Sequence, residues 1–150
     1  MSAYETHDVD FIRSVVCHPA CFTMAVDDGD PHSWYPPSGE HIHWLRNDAG
    51  GAVAMVYRVN GSLWAYDAAV SPEARPPNVP YTERREAIEQ VKEWLRANTD
   101  CSYLCAFIAS DNLRSVRAAV ADGLTLVGSM KNAKRRRGVL LDVLIYGIGV

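Results

Sequence analysis

The segment from Val70 to Pro80 has the position of a phosphate-binding loop but few of the groups that bind phosphate. It lies between a predicted strand and a predicted helix, where glycines and backbone N–H groups commonly hold the phosphates of a cofactor. The segment contains no glycine. Three of the six residues from Arg75 to Pro80 are prolines, which have no N–H to donate. The sequence therefore predicts the frame of a cofactor site without its donors.

Asp67 is a candidate general base. Strand alternation places it on one face with Leu63, Ala65 and Ala69. A carboxylate among apolar side chains can have a raised pKa and accept a proton from a substrate. The alternative, which we prefer at this point, is a structural aspartate paired with a nearby arginine.

Several cysteines and histidines have spacings that could bring metal ligands together. They are Cys17 and Cys21, Cys101 and Cys105, and His41 and His43, with His32 in the preceding loop. Four thiolates could bind zinc, and two imidazoles on one strand face could ligate a metal. The cysteine spacing differs from the usual Cys-x-x-Cys, so buried thiols are the better interpretation. No carboxylate partner is evident for the histidines, which favours a half-exposed strand face. We expect no metal.

A basic run near the carboxyl end is a candidate contact surface. Its five cations within seven residues are Lys131, Lys134, Arg135, Arg136 and Arg137. We expect them to form one exposed hairpin tip that contacts nucleic acid or an acidic partner. A solvated loop is the alternative.

An aromatic loop is the second candidate contact surface. Trp34 and Tyr35 precede Pro36 and Pro37. If exposed, this loop would suit a protein interface, where Trp and Tyr are enriched. The alternative is a loop folded over the core.

The elements that position these residues are predicted from periodicity and turn signals. The order is α-α-β-β-β-α-β-α-β-β, with an antiparallel meander of three strands from His41 to Val70. Its second turn is predicted at Asn60-Gly61. Helices are expected over Tyr81–Ala97 and Asn112–Ala121, and an apolar central strand over Cys101–Ala109. The order predicts an α/β (α+β) fold with a mixed sheet and flanking helices.

Length and composition are those of one domain over residues 1–150. The net charge of −3 excludes a protein that binds polyanions with its whole surface. The sequence has no apolar run of membrane-spanning length and a polar, acidic amino end, so we expect no membrane segment and no signal peptide. The four cysteines are then expected to be reduced thiols in a cytosolic setting.

Two local patterns resemble those of the GNAT N-acetyltransferases. Val70, Pro72 and Arg75 match the family's Val-x-Pro-x-x-Arg/Gln-x-x-Gly-x-Gly/Ala pattern at the end of the meander. The family's second pattern, an Asn-led helix that ends in Gly-Phe, is matched by Asn112, Ser115, Gly123 and Leu124. The resemblance covers roughly residues 40–150. It implies a GNAT-like fold, with acetyl-CoA in active members contacting positions that correspond here to Val70, Arg75, Asn78 and Asn112.

The chain departs from the family at the functional positions. Asn78 and Pro80 replace the two glycines, and Ala119 replaces the tyrosine that commonly protonates the leaving thiolate. An alanine has no proton to give. We therefore expect no cofactor and no catalytic residue. The alternative is an active N-acetyltransferase that uses acetyl-CoA, with Asp67 as the base.

The same losses are similar to those of small GNAT-like proteins of short-tailed phages. That resemblance implies a non-enzymatic structural or assembly component of the virion, made in the host cytoplasm. The expected partners are other phage structural proteins in an oligomeric ring, with a nucleic acid contact through the basic run. For the alternative acetyltransferase, the expected location is cytoplasmic.

Overall fold

The strands form one mixed sheet, and helices cover both of its faces. The computed structural model describes residues 3–26, 29–47, 50–75, 78 and 81–150. Its elements are, in chain order, β1 (Tyr4–Glu5), α1 (Val9–Val16), α2 (Pro19–Val26), β2 (Ile42–Arg46), β3 (Ala52–Asn60), β4 (Leu63–Val70), α3 (Tyr81–Asn98), β5 (Tyr103–Ala109), α4 (Leu113–Ala121), β6 (Thr125–Arg136) and β7 (Val139–Gly149). The predicted α+β architecture is confirmed. None of the described helices is long and apolar enough to cross a membrane.

Within the described residues the sheet has seven strands in the order β1-β2-β3-β4-β5-β7-β6. The predicted meander β2–β3–β4 is confirmed, but its second turn is shifted by one residue. The turn residues are Gly61 and Ser62, because Asn60 still pairs with Leu63. The φ of Gly61 is 54°, and a glycine at the first central position is typical of one of the two common hairpin turns.

The parallel pair β4 and β5 is joined only where the two strands begin. Three residue pairs link them: Leu63 with Tyr103, Trp64 with Leu104, and Ala65 with Cys105. Beyond these pairs β4 stays paired with β3 as far as Val70, and β5 stays paired with β7 as far as Ala109. The two strands therefore diverge and leave a gap between residues 66–70 and residues 106–109.

Two hydrophobic clusters hold helices against opposite faces of the sheet. The larger contains Leu95 of α3, Leu104 of β5 and Ala119 of α4. The smaller packs Ile12 of α1 against Val53 of β3. Because side chains alternate along each strand, one face of the sheet carries α3 and α4 and the other carries α1.

The basic run is strand rather than the predicted hairpin loop. β6 extends through Arg136, which pairs with Val139, and the turn is Arg137-Gly138. Both turn residues have positive φ, 48° and 78°, as one of the two common two-residue hairpin turns requires. Arg136 is only 5% exposed and forms an ion pair with Asp111. The prediction that all five cations lie on an exposed tip is therefore wrong.

Asn112 caps α4, and its replacement tests that role. Its side-chain oxygen accepts a hydrogen bond from the Ser115 backbone N–H at 3.2 Å. We expect Asn112→Ala to lower the free energy of unfolding by about 1 kcal/mol, because a first-turn N–H loses its partner. Urea unfolding of both proteins measures the difference. Asn112→Ser, which restores a capping oxygen, should recover most of the loss; equal losses in the two variants would contradict the capping role.

The ion pair between Arg136 and Asp111 supports a second prediction. We expect Arg136→Met to cost about 2–4 kcal/mol, near the lower end for a broken buried pair because the Asp111 side chain is 40% exposed. Arg135→Met is the matched control, since Arg135 is exposed on the same strand, and it should change stability by less than about 0.5 kcal/mol. Equal effects in urea unfolding would show that the pair contributes no stability.

Candidate active site

Asp67 lies on β4 just past the point where β4 leaves β5. Ala65 is the last β4 residue paired with β5, and it lies between Tyr57 of β3 and Cys105 of β5. Residues opposite one another in a sheet share a face, and so do alternate residues of one strand. Tyr57, Asp67 and Cys105 are therefore on the same face. The sequence placed Asp67 correctly on the face of Ala65 but did not identify Tyr57 or Cys105 as its neighbours.

The Asp67 carboxyl is both enclosed by protein and reachable by solvent. Burial by the surrounding protein raises the pKa of the Asp67 carboxyl above the ordinary aspartate value. The positive charge of Lys134 opposes that rise. The residue nevertheless remains exposed. The cation that acts on Asp67 is this lysine of β6, not the arginine that sequence reasoning preferred. A carboxylate with these properties can accept a proton from a ligand in the gap.

Tyr57 can act as a proton donor, the opposite of the role available to Asp67. Burial, together with the charges of Asp67 and Cys105, raises the pKa of Tyr57 to about 12. Burial also raises the pKa of the Cys105 thiol. At neutral pH the phenol and the thiol therefore keep their protons. The face combines a proton acceptor at Asp67 with a proton donor at Tyr57.

The loop after β4 uses its own N–H groups internally. Pro72–Ala74 form a single 3₁₀ turn, and the N–H groups of Ala74 and Arg75 donate to the carbonyls of Ser71 and Pro72. The N–H of Asn78 donates to the Arg75 carbonyl at 2.8 Å. These backbone groups are therefore not free to bind phosphate, which agrees with the donor shortage predicted from the sequence.

The Arg75 side chain ties the loop to its surroundings. Its Nε donates to the Val70 carbonyl at 2.8 Å, and its second terminal nitrogen lies 3.1 Å from the Cys21 sulfur. The Cys21 thiol also donates to the Val70 carbonyl, at 3.2 Å. Arg75 thus joins the loop, the end of β4 and α2, and its position is set by these contacts.

The remaining candidates from the family pattern are structural in this chain. The Asn112 oxygen is engaged by the first turn of α4, as described above, and the Val70 carbonyl is engaged by Arg75. Ala119 is 2% exposed and belongs to the core between the sheet and α4. Pro80 lies outside the described residues. These positions support the loop and the helix.

The cysteines do not come together as metal ligands. Cys17 and Cys21 donate to different backbone carbonyls, those of Pro31 and Val70. The buried thiols are Cys21, Cys101 and Cys105. Within the described ranges no group of three or more histidine, cysteine, aspartate or glutamate side chains could hold a metal ion.

The histidines have partners that the sequence did not reveal. His43 Nδ1 lies 2.8 Å from Glu5 Oε1, and its ring stacks on Trp64 with centroids 6.0 Å apart. His41 contacts the same indole edge-on at 6.4 Å. His32 is exposed in the loop before β2. The carboxylate that sequence reasoning could not find comes from β1, a strand that was not predicted.

The two aromatic residues of the loop before β2 have different environments. Trp34 packs edge-on against Trp44, with centroids 6.2 Å apart, and joins the smaller hydrophobic cluster. Tyr35 is 63% exposed, and the Arg13 guanidinium lies 4.4 Å from its ring centroid. The folded-over alternative is confirmed for Trp34, whereas Tyr35 remains available for contact.

The exposed members of the basic run are Lys131, Arg135 and Arg137, while Lys134 is half-buried. Contact of these cations with nucleic acid or an acidic partner stays a prediction.

No protein-family model matches the chain, and no curated protein matches it. Solved structures do resemble it. Spermidine N-acetyltransferase from Vibrio cholerae, in complex with CoA and spermine, superposes with a TM-score of 0.76 at 11% identity, covering 99% of this chain and 94% of that one. Ribosomal-protein-alanine N-acetyltransferase from Brucella melitensis gives 0.66 at 15% identity, with 100% of both chains covered. An acetyltransferase of the GNAT family from Streptococcus pneumoniae gives 0.58 at 12% identity, covering 75% and 69%.

These likenesses establish the fold and correct two predictions. The prediction of a non-enzymatic phage component is wrong, because acetyltransferases are prominent among the structures that resemble the chain and nothing supports a virion location. The prediction of no cofactor is also wrong, because several of those structures contain CoA or acetyl-CoA. The chain has the GNAT N-acetyltransferase fold, as its mixed sheet and flanking helices show.

The raised pKa of Asp67 predicts how stability depends on pH. Ionising this carboxyl costs more in the folded than in the unfolded chain, so ionised Asp67 destabilises the fold once the pH exceeds the unfolded value of about 4. Asp67→Asn should therefore unfold at higher urea than the wild type at pH 7. The difference should shrink as the pH falls toward about 4. Glu93→Gln, on the exposed side of α3, is the control; a variant less stable than wild type at pH 7 would contradict the account.

Proposed function

We propose that this protein transfers an acetyl group from acetyl-CoA to an amine. The observation that carries the proposal is the placement of Asp67 and Tyr57 beside the gap between β4 and β5, in a fold shared with acetyltransferases. A base and a proton donor are the two groups that acetyl transfer to an ammonium requires.

The gap fits the pantetheine arm of the cofactor. Residues 66–69 of β4 have no β5 partner, so their outward backbone groups can bond the amides of an extended arm as a strand would. The Val70 carbonyl is already engaged by Arg75 and Cys21. The loop fits the diphosphate less well, because the N–H groups of Ala74, Arg75 and Asn78 are engaged. The first turn of α3, which begins at Tyr81, offers backbone N–H groups at the positive end of a helix of 18 residues.

Acetyl-CoA supplies a thioester whose C–S bond breaks as the bond from the amine nitrogen forms. Asp67 accepts the proton that the acceptor ammonium must lose to become a nucleophile. Lys134 favours the ionised form of Asp67 and so keeps it ready to act as a base. Tyr57 keeps its proton at neutral pH and can donate a hydrogen bond to the departing sulfur, which leaves as the thiolate.

Tyr57 also accounts for the alanine at position 119. A tyrosine on α4 is the usual proton donor in the family pattern, and Ala119 is enclosed in the core instead. Tyr57 is on β3, opposite Ala65, and on the same face of the sheet as Asp67. The proton donor has thus moved from a helix to a strand.

Calorimetry and thiol release test the proposal together. We expect acetyl-CoA to bind with a Kd of about 10–100 µM, within the range of ordinary enzyme KM values. Asp67→Asn should bind acetyl-CoA as the wild type does and lose about 100-fold or more in kcat, because only the base is removed. In the wild type, kcat/KM should fall as the pH drops through the raised pKa of Asp67, and this limb should be absent from the variant.

Two further variants test the Tyr57 hydroxyl and control for the loss of a carboxylate. Tyr57→Phe should lower kcat while leaving acetyl-CoA binding intact, since only the hydroxyl is lost. Glu93→Gln is the control for a lost surface carboxylate and should match the wild type. Failure of acetyl-CoA to bind at 1 mM, or an unchanged kcat in Asp67→Asn, would refute the proposed function.

A further inference from the structure

Part of the sheet on β6 and β7 is apolar and is left uncovered by the helices. Leu126 pairs with Tyr146, which belongs to the same hydrophobic cluster as α3 and α4, and Arg135 pairs with Leu140. Paired residues share a face, and so do alternate residues of β7, so Leu126 and Leu140 are on the side of the sheet that carries these helices. They are nevertheless 57% and 47% exposed. The helices therefore do not extend over this part of the hairpin.

α4 lies beside this part of the hairpin. Its carboxyl end leads into β6 through residues 122–124, and Asp111, just before α4, forms an ion pair with Arg136 at the end of β6. The helix and the strand are thus neighbours at both ends. Leu113 and Val120 are seven residues apart, which places them on one side of α4, and both are exposed. With Leu126 and Leu140 they form what we call the apolar patch.

The apolar patch is accompanied by arginines that have no carboxylate partner. Arg135 shares the face of Leu140, and Arg114 and Arg117 are exposed on α4. Arg135 donates one hydrogen bond to the Gly138 carbonyl, at 3.3 Å. Among the described residues, no carboxylate is within ion-pair distance of these three arginines. This surface therefore combines exposed apolar side chains with positive charge that no ion pair offsets.

The charge of the whole chain is divided in the same way. Residues 111–150 contain seven lysines and arginines and three aspartates, a net charge of +4. Residues 1–110 contain eight lysines and arginines and fifteen aspartates and glutamates, a net charge of −7. A positive segment on an otherwise acidic protein attracts an acidic partner to that segment and sets its orientation.

The composition of this surface selects among three kinds of occupant. Interfaces with nucleic acid are more polar than interfaces between proteins, so exposed leucine and valine side chains favour a protein. A second copy of this chain bound through the same patch, across a two-fold axis, would bring its arginines close to those of the first copy. Like charges repel, and this disfavours a second copy. An acidic partner protein has neither disadvantage.

We propose that the apolar patch docks an acidic amphipathic helix of a partner protein. Two adjacent strands take up about 10 Å, which is the diameter of one helix, so a single helix fits over the uncovered part of β6 and β7 next to α4. Its apolar side would pack on Leu126 and Leu140 in the way that α3 and α4 pack on the neighbouring strands. Its carboxylates would pair with Arg117 and Arg135. The proposal does not depend on acetyl transfer.

Fluorescence anisotropy with labelled synthetic peptides tests the proposal on the full chain. The probe has about 20 residues, with leucine every three or four positions and glutamate or alanine elsewhere, which gives an acidic amphipathic helix. One control peptide has lysine in place of glutamate. Another has serine in place of leucine.

Two double variants of the protein remove the two parts of the surface separately, and a third variant is the control. The apolar variant is Leu126→Ser with Leu140→Ser, the charge variant is Arg117→Gln with Arg135→Gln, and the control is Val59→Ser with Arg96→Gln. The control residues are exposed on β3 and α3, outside the surface. Because all six side chains are exposed, urea unfolding should give midpoints close to that of the wild type.

We expect the wild type to bind the acidic amphipathic peptide about tenfold or more tighter than either control peptide, since both apolar burial and charge contribute. Each double variant of the surface should lose about tenfold in affinity, and the control variant should lose none. The charge variant should also lose most of the salt dependence of binding, because attraction between exposed charges is screened by salt.

Binding of the acidic peptide that is no tighter than that of the control peptides, or that survives in both surface variants, would overturn the inference. A labelled oligonucleotide that binds more tightly than the peptide and requires Arg117 and Arg135 would overturn it in favour of a nucleic acid surface. Sedimentation that shows a wild-type dimer, lost in the apolar variant, would overturn it in favour of an interface between copies.

Discussion

Divergence of β4 from β5 is the constraint on which the rest of the site depends. Both strands stay paired on their outer sides, β4 with β3 and β5 with β7, while their facing edges separate after Ala65 and Cys105. Strand N–H and C=O groups need partners, and the diverging edges cannot supply them to each other. The gap therefore offers hydrogen bonds to an extended ligand. It also opens the sheet beside Asp67, so that the carboxylate is reachable from solvent.

Separate elements around the gap have separate roles. The loop after β4 is stabilised by its own backbone bonds and by Arg75, whose contacts with the Val70 carbonyl and the Cys21 sulfur join it to α2. Such a loop keeps its shape without glycine, but its backbone N–H groups donate hydrogen bonds within the loop. In the proposed acetyl transfer, the first turn of α3 supplies the phosphate donors. The proposed proton acceptor and donor are Asp67 of β4 and Tyr57 of β3, which share one face.

The order of the main helices and strands could be predicted from the sequence because their signals are local. Helical periodicity, the cap at Asn112 and the apolar run of β5 each depend on a few neighbouring residues. The prediction failed where strand pairing, and not composition, decided the outcome. β1 is two residues long and exists because it pairs with β2. The basic part of β6 is strand because it pairs with residues 139–141 of β7, although its composition is typical of a loop.

The sequence by itself determined the fold class, the side of β4 on which Asp67 lies, and the shortage of donors in the loop, since each follows from residue type and short spacing. Only the tertiary structure decided which groups surround Asp67. A turn at Asn60-Gly61 would place Tyr57 opposite Trp64, on the other face; the observed turn at Gly61-Ser62, with a bulge near Val59, places it opposite Ala65. The charge of Lys134 and the burial of Arg136 come from a hairpin that is remote in sequence. A one-residue change of register exchanges the faces of a strand, and no local pattern fixes register that finely.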